Sequence, residues 1–228
     1  MDERIQATTS PFFTLDAFDG DLAIMVMEAI EKASSGEEKA WTELVEGNAD
    51  LRERLTSQGI AKPESFTAIR WDAANLLFTC CVQLDRDGRP YTVGDRLTRE
   101  RFGRFPYGDG SALGYLLEFM RPNRSITDHD GQSIYDQILE ELNNLAVRCT
   151  EERRGHTNFE RGFGGMSLLG FITAEGIQLL RKNLSSRAWT ASYEEPLDGG
   201  VADVAKHLLT LLKGAERRGV GIALRIHR

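Results

Sequence analysis

Two stretches of this sequence join glycine to arginine in a way that suits phosphate, because glycine exposes backbone N–H groups and guanidinium groups also donate to anionic oxygen. The first is Arg101 and Arg104 followed by Gly108-Asp109-Gly110-Ser111-Ala112-Leu113-Gly114. Its third glycine comes one residue late for a dinucleotide fingerprint, and no lysine follows as a P-loop requires. The second is Arg153, Arg154 and Arg161 beside Gly162, Gly164 and Gly165, where glycine serves backbone turns equally well. Arg101, Arg104, Gly108, Gly110, Arg153, Arg154 and Arg161 are therefore the candidate contacts of a phosphorylated or nucleotide-like ligand. An enzyme acting on such a ligand is one reading of the chain.

Other chemistry fails on spacing. Asp128-His129-Asp130-Gly131-Gln132-Ser133 suggests a calcium loop, but with Asp128 as the first position glycine falls fourth instead of sixth, and Leu139 stands where a bidentate Glu is needed. Asp128 and Asp130 fit better as acids at a helix N-terminus. His129, His156, His207 and His227 lie far apart and form no H-x-x-x-H or H-E-x-x-H pattern, so no metal ligand set is expected. Gly165-Met166-Ser167 is followed by Leu168-Leu169-Gly170, one residue too long for a nucleophile elbow. Cys80 and Cys81 sit in an apolar segment and Cys149 far away, which reads as buried thiols without activation. No catalytic residue, metal or cofactor is assigned.

Charge is distributed unevenly. Residues 1–50 carry 12 acids against Arg4, Lys32 and Lys39, a local net of −9 within an overall −7, so the remaining residues are slightly basic. Such a balance argues against nucleic acid, whose binding neutralises phosphates with Lys and Arg. Clustered acids are either a solvated helix surface or a docking face for a basic partner, since clustered charge steers association. Six arginines between Arg86 and Arg104 form an opposite, milder cluster that suits phosphate or complements the acidic end. With 22 Arg and 6 Lys in the chain, a GC-rich genome also explains that bias.

The elements that must position these residues follow from hydrophobic period and caps. Helices are expected over 21–34, 37–46, from Asn48 or Asp50 to Gly59, over 72–84 behind Asp72, over 109–121 behind Asp109, and over 128–148, 173–184 and 200–218. Arg187 to Tyr193 alternates like a strand, and Val220 to Ile226 reads as a strand that sews the C-terminus into a sheet. The class is α+β, a mainly helical single domain of residues 1–228 with a small sheet that includes the C-terminal strand. Residues 1–60 are either an acidic helical subdomain or the first layer of that domain. With 228 residues, 41% of them hydrophobic, the chain can bury a full core without disulfide or metal staples. No apolar run reaches the ~18 residues of a membrane span, and the start MDERIQATTSPFF lacks a signal-peptide layout. A cytoplasmic location is expected.

Arg70-Trp71-Asp72 opening an apolar helix, Gly170-Phe171-Ile172-Thr173-Ala174-Glu175 opening another, and the helix-Gly-strand from Val201 to Ile226 together resemble the uncharacterised bacterial YfbM-like proteins. The resemblance spans about a quarter of the chain and implies a compact bacterial α+β fold without implying an activity. Where that family often has a histidine four residues after the tryptophan, this chain has Asn75.

The expected function is a non-enzymatic cytoplasmic interaction protein, immunity or antitoxin-like, that masks a basic protein partner. Its contacts would be Asp16, Asp19, Asp21, Glu28, Glu31, Glu37 and Glu38, carried on a loop and two short helices.

Overall fold

The computed structural model describes residues 11–123, 129–157, 159, 161–162 and 165–227. The chain opens with strand β1 (Phe12–Phe18), followed by helices α1 (Gly20–Ser34), α2 (Glu38–Gly47), α3 (Ala49–Ser57), α4 (Ala73–Cys80), α5 (Arg96–Gly103) and α6 (Ala112–Phe119). It continues through β2 (Met120–Pro122), α7 (His129–Val147), α8 (Glu151–Arg154), β3 (Met166–Ile172), α9 (Ala174–Leu184), β4 (Trp189–Ala191), α10 (Gly200–Glu216) and β5 (Gly221–His227). The fold is α+β and mainly helical, and the C-terminal strand lies in the sheet as expected.

Short polar side chains start the helices. Asp19, Asn48, Asp72, Asp95, Ser111 and Thr173 each accept a hydrogen bond from the backbone N–H three residues on, satisfying one of the orphan donors of the first turn. Three expectations are corrected here. Ser111, not Asp109, caps α6, because Asp109 Oδ1 accepts from the Ser111 N–H in a local turn. The helix behind Asp72 stops at Cys80 instead of running to residue 84, because Cys81 turns to bridge Phe18 of β1. The strand over 187–193 shrinks to β4 and pairs with β2, outside the main sheet.

β5 is the middle strand of that sheet, antiparallel to β1 on one side and β3 on the other. Strand pairing puts Leu15 opposite Leu224, and Asp16 opposite Ala223, which in turn faces Phe171. β3 breaks register between Leu168 and Gly170. A Cβ on Gly170 would stand 2.2 Å from the Asn144 carbonyl oxygen, so only glycine admits α7 this close to the sheet. The outer edge of β1 is closed by the 82–93 hairpin: Ala17 N–H donates to Tyr91 O at 2.8 Å, Val93 N–H to Leu15 O at 2.7 Å, and Val82 N–H to Ala17 O at 3.2 Å. An open row of strand donors is thereby covered.

Helices cover both faces. Phe13, Leu15 and Ala17 of β1 and Ile222, Leu224 and Ile226 of β5 join a core with side chains of α5, α6, α7, α9 and α10. The other face, through Phe18, Ala223, Leu168 and Phe171, shares a core with α1, α2, α3 and α4. Trp41 of α2 anchors that second layer, fully buried, with its Nε1–H on the Pro63 carbonyl at 2.9 Å and its ring edge-on to Trp71. The acidic helices of residues 20–57 thus share their core with the sheet. Among the described residues no helix is long and apolar enough to cross a membrane.

Candidate functional site

The described acidic residues of the N-terminal quarter divide into three groups. Asp16 does not project from a loop; it lies on β1, fully buried. Arg225 Nε stands 2.7 Å from its Oδ2, Arg225 Nη2 donates to Oδ1 at 3.1 Å, and Thr92 Oγ1 donates to Oδ1 at 3.0 Å. Burial pushes the Asp16 carboxyl above its usual range, while Arg225 and the threonine hydroxyls pull it back. The alternation of β1 explains the correction: Leu15 and Ala17 face one core, so Asp16 must face the other layer. Asp16 therefore leaves the set of docking residues.

Asp19 and Glu31 are committed within the fold. Asp19 caps α1 through the Leu22 N–H. Glu31 pairs at 2.6 Å with Arg154, whose side chain is 7% exposed and lies over the Phe159 ring. Removing Glu31 would strand a nearly buried guanidinium, so its main task is internal. Asp21, Glu28, Glu37 and Glu38 form the third group, exposed on α1, at the cap of α2 and in its first turn. Glu43, Glu46, Asp50 and Glu53 extend this exposed set along α2 and α3. Of these, Glu43 is paired to Lys39 at 2.9 Å, a fully solvated contact. Glu46, Arg52 and Glu53 line a cleft of about 450 Å³ along α2 and α3.

The arginines and glycines proposed for phosphate are not brought together. Arg101 and Arg104 line a cleft of about 590 Å³ with Asp198, Asp203 and His207. Two carboxylates share that lining with the two guanidiniums, Asp203 standing 3.5 Å from His207 Nε2, and the start of α10 is already served by Glu195, whose Oε1 accepts from the Val201 N–H. Gly108 meets open space, and Gly110 packs under the Phe105 carbonyl. Arg153 and Arg154 line a different cleft, of about 310 Å³, together with Arg148, Glu28 and Glu31, and Glu31 takes Arg154 there. Arg161 is exposed, and its carbonyl accepts from the Ala73 N–H at 3.3 Å. Gly162 next to it lies against α4, where a Cβ would stand 2.7 Å from the Ala74 nitrogen. The glycine there serves close packing, as a backbone device rather than an anion cradle.

The thiols are inert. Cys80, Cys81 and Cys149 are buried and free, and burial raises all three, Cys149 to about 12. Among the described residues no cluster of His, Cys, Asp and Glu could hold a metal. The capping role read for Asp128 and for the side chain of Asp130 lies outside the described residues.

Sequence reasoning missed the polar row on the sheet. Thr14, Asp16, Arg225 and His227 stand together across β1 and β5, with Thr14 Oγ1 3.2 Å from His227 Nε2. Burial beside Arg225 lowers the His227 imidazole to about 4, so the ring is neutral at physiological pH. The partners are more than 200 positions apart, and the one available signal was a charged residue at an inward position of each apolar run. The three segments behind the expected family resemblance become the capped start of α4, the β3–α9 junction and the α10–β5 turn, and Asn75 there donates to the Arg70 carbonyl. No protein-family model, no curated protein and no solved structure matches this chain.

Proposed function

We propose that the chain is a protein-binding module that takes a basic partner on the outer surface of α1, α2 and α3, in the manner of an immunity or antitoxin-like protein. The observation that carries this reading is the exposed acidic set Asp21, Glu28, Glu37, Glu38, Glu46, Asp50 and Glu53 combined with the concave cleft bordered by Glu46 and Glu53. With two carboxylates and one guanidinium, Arg52, in its lining the cleft keeps a net negative charge that suits a lysine or arginine side chain, and the surrounding acids raise the encounter rate. The core beneath is fixed by Trp41, Val45, Leu51 and Leu55, so the surface is presented on rigid helices.

The competing reading, an enzyme acting on a phosphorylated or nucleotide-like ligand at Arg101, Arg104, Gly108, Gly110, Arg153, Arg154 and Arg161, has less support because those residues lie in separate places.

The test is charge reversal of Glu37, Glu38, Glu46 and Glu53 together, with capture from the native host measured at low and high salt. A basic polypeptide held by the parent at low salt and lost by the variant is the expected outcome. Equal capture by parent and variant at both salts would leave these acids as solvated surface.

A further inference from the structure

Three arginines, two from the 86–104 cluster and one from the C-terminal strand, meet in one cavity of about 440 Å³ beside the closed edge of β1. Arg89 stands, exposed, in the 85–89 turn of the 82–93 hairpin, Arg99 half-buried on α5 and Arg225 on the central strand. Arg225 is held in place by Asp16, whose Oδ2 stands 2.7 Å from its Nε and whose Oδ1 accepts from its Nη2. Arg89 and Arg99 have no ion-pair or hydrogen-bond partner for their side chains among the described residues.

Asp85 is the acid in the lining, and its Oδ1 already accepts from the Asp87 and Arg89 N–H groups, both at 2.9 Å. Tyr91 supplies an aromatic wall, with the Arg218 guanidinium 4.0 Å from its ring centre as a further cation nearby. Gly94 shapes the remaining side: its φ is +92°, and a Cβ there would stand 2.4 Å from Leu211 Cδ2 of α10. Glycine at this point lets the chain turn over α10 into the helix that carries Arg99.

We propose that this cavity binds the phosphoryl group of a small phosphomonoester, gripped by Arg89 and Arg99 against the back wall formed by Arg225. Unpaired guanidinium forks match phosphate oxygens in pairs, and a dianion answers two free cations better than a single carboxylate does. The cavity volume falls in the range of small-molecule sites, and Tyr91 offers a surface for the organic part of the ligand. The inference is independent of the protein-binding reading, which uses acids on other helices.

Calorimetric titration of the full chain at fixed ionic strength tests it, with inorganic phosphate, a nucleoside 5′-monophosphate, the parent nucleoside and succinate as probes. The expected result is saturable binding of phosphate and the monophosphate, with the nucleoside and succinate much weaker. Arg89→Gln and Arg99→Gln should each weaken phosphate by about 10-fold or more, the usual effect of losing a charge-assisted pair. Both variants should melt like the parent in the absence of phosphate, and Arg153→Gln should bind like the parent. Binding that is absent throughout the millimolar range, or unchanged in both arginine variants, overturns the site. Succinate binding as tightly as phosphate overturns its assignment to a phosphoryl group.

Discussion

Leu15 and Asp16 are neighbours in one strand, both sealed from water, and they belong to opposite faces of the sheet. The face that holds Leu15 is apolar along the whole of β1 and β5, from Phe13 and Ile226 to Ala17 and Ile222. The face that holds Asp16 is apolar only where α1 and α4 cover it, at Phe18, Ala223 and Phe171, and turns polar at Asp16, Thr14, Arg225 and His227. Apolar area stabilises the first face roughly in proportion to what is buried. On the second face the ion pair adds little net stability, because desolvation offsets attraction, yet either partner alone is severely destabilising. One face is therefore tolerant of partial damage and the other is not.

Removing what both faces share should have the largest effect. β5 contributes Ile222, Leu224 and Ile226 to one core and Ala223 and Arg225 to the other side, and it pairs with both outer strands. Truncation after Gly219 should exceed the total stability of a domain, about 5–15 kcal/mol, by exposing two strand edges and two cores. The truncated chain should show no cooperative thermal transition by circular dichroism and should elute as aggregate. A soluble product with a sharp transition would mean that the two helical layers hold together without their central strand.

The neighbours on β1 separate the two kinds of stabilisation. Leu15→Ala should cost about 2–5 kcal/mol through lost transfer energy and a cavity. Asp16→Ala should cost about 3–5 kcal/mol by leaving Arg225 without a counter-charge in a nearly closed setting. A second change distinguishes them: Asp16→Leu combined with Arg225→Met should recover most of the parent's stability in urea, since an apolar pair replaces an ion pair at little cost. No single partner change should rescue Leu15→Ala. If the double variant is no more stable than Asp16→Ala, the pair does more than balance charge.

The same contrast explains what could be read from the sequence. α1, α9 and α10 were legible because a cap precedes each apolar stripe or a glycine ends it, which are local signals. β5 was legible because Val220 to Leu224 follows Gly219 as an apolar run, with Ile226 resuming it after Arg225. β1 and β3 were not, because Asp16 interrupts the first and the glycines around residues 162–170 disguise the second as a loop. α5 was hidden by its arginines: Phe102 is its sole large buried side chain. The acidic surface was legible as composition, but which acids are free was not. Glu31 is answered by Arg154 and Asp16 by Arg225, and such long-range pairing leaves no periodic trace.

The smallest effect expected is a pH dependence on the polar face. His227 titrates near 4 in the fold against about 6.5 unfolded, because burial and Arg225 disfavour its charged form. Between those values the unfolded chain binds the proton more readily, so this contribution is complete above pH 6.5 and is lost as pH falls toward 4. Since the ring is half-exposed, solvent screening reduces the effect to the order of 1 kcal/mol. Asp16 has the opposite sign, because its carboxyl is raised and the folded state takes that proton first as acid is added. His227→Gln keeps a hydrogen-bonding partner for Thr14 while removing the titration. Urea midpoints measured from pH 7 to pH 4.5 should therefore fall less for His227→Gln than for the parent, with the two closest at pH 7. Parallel curves would mean that burial and Arg225 exert no hold on the imidazole, and that any pH dependence of the polar face comes from Asp16.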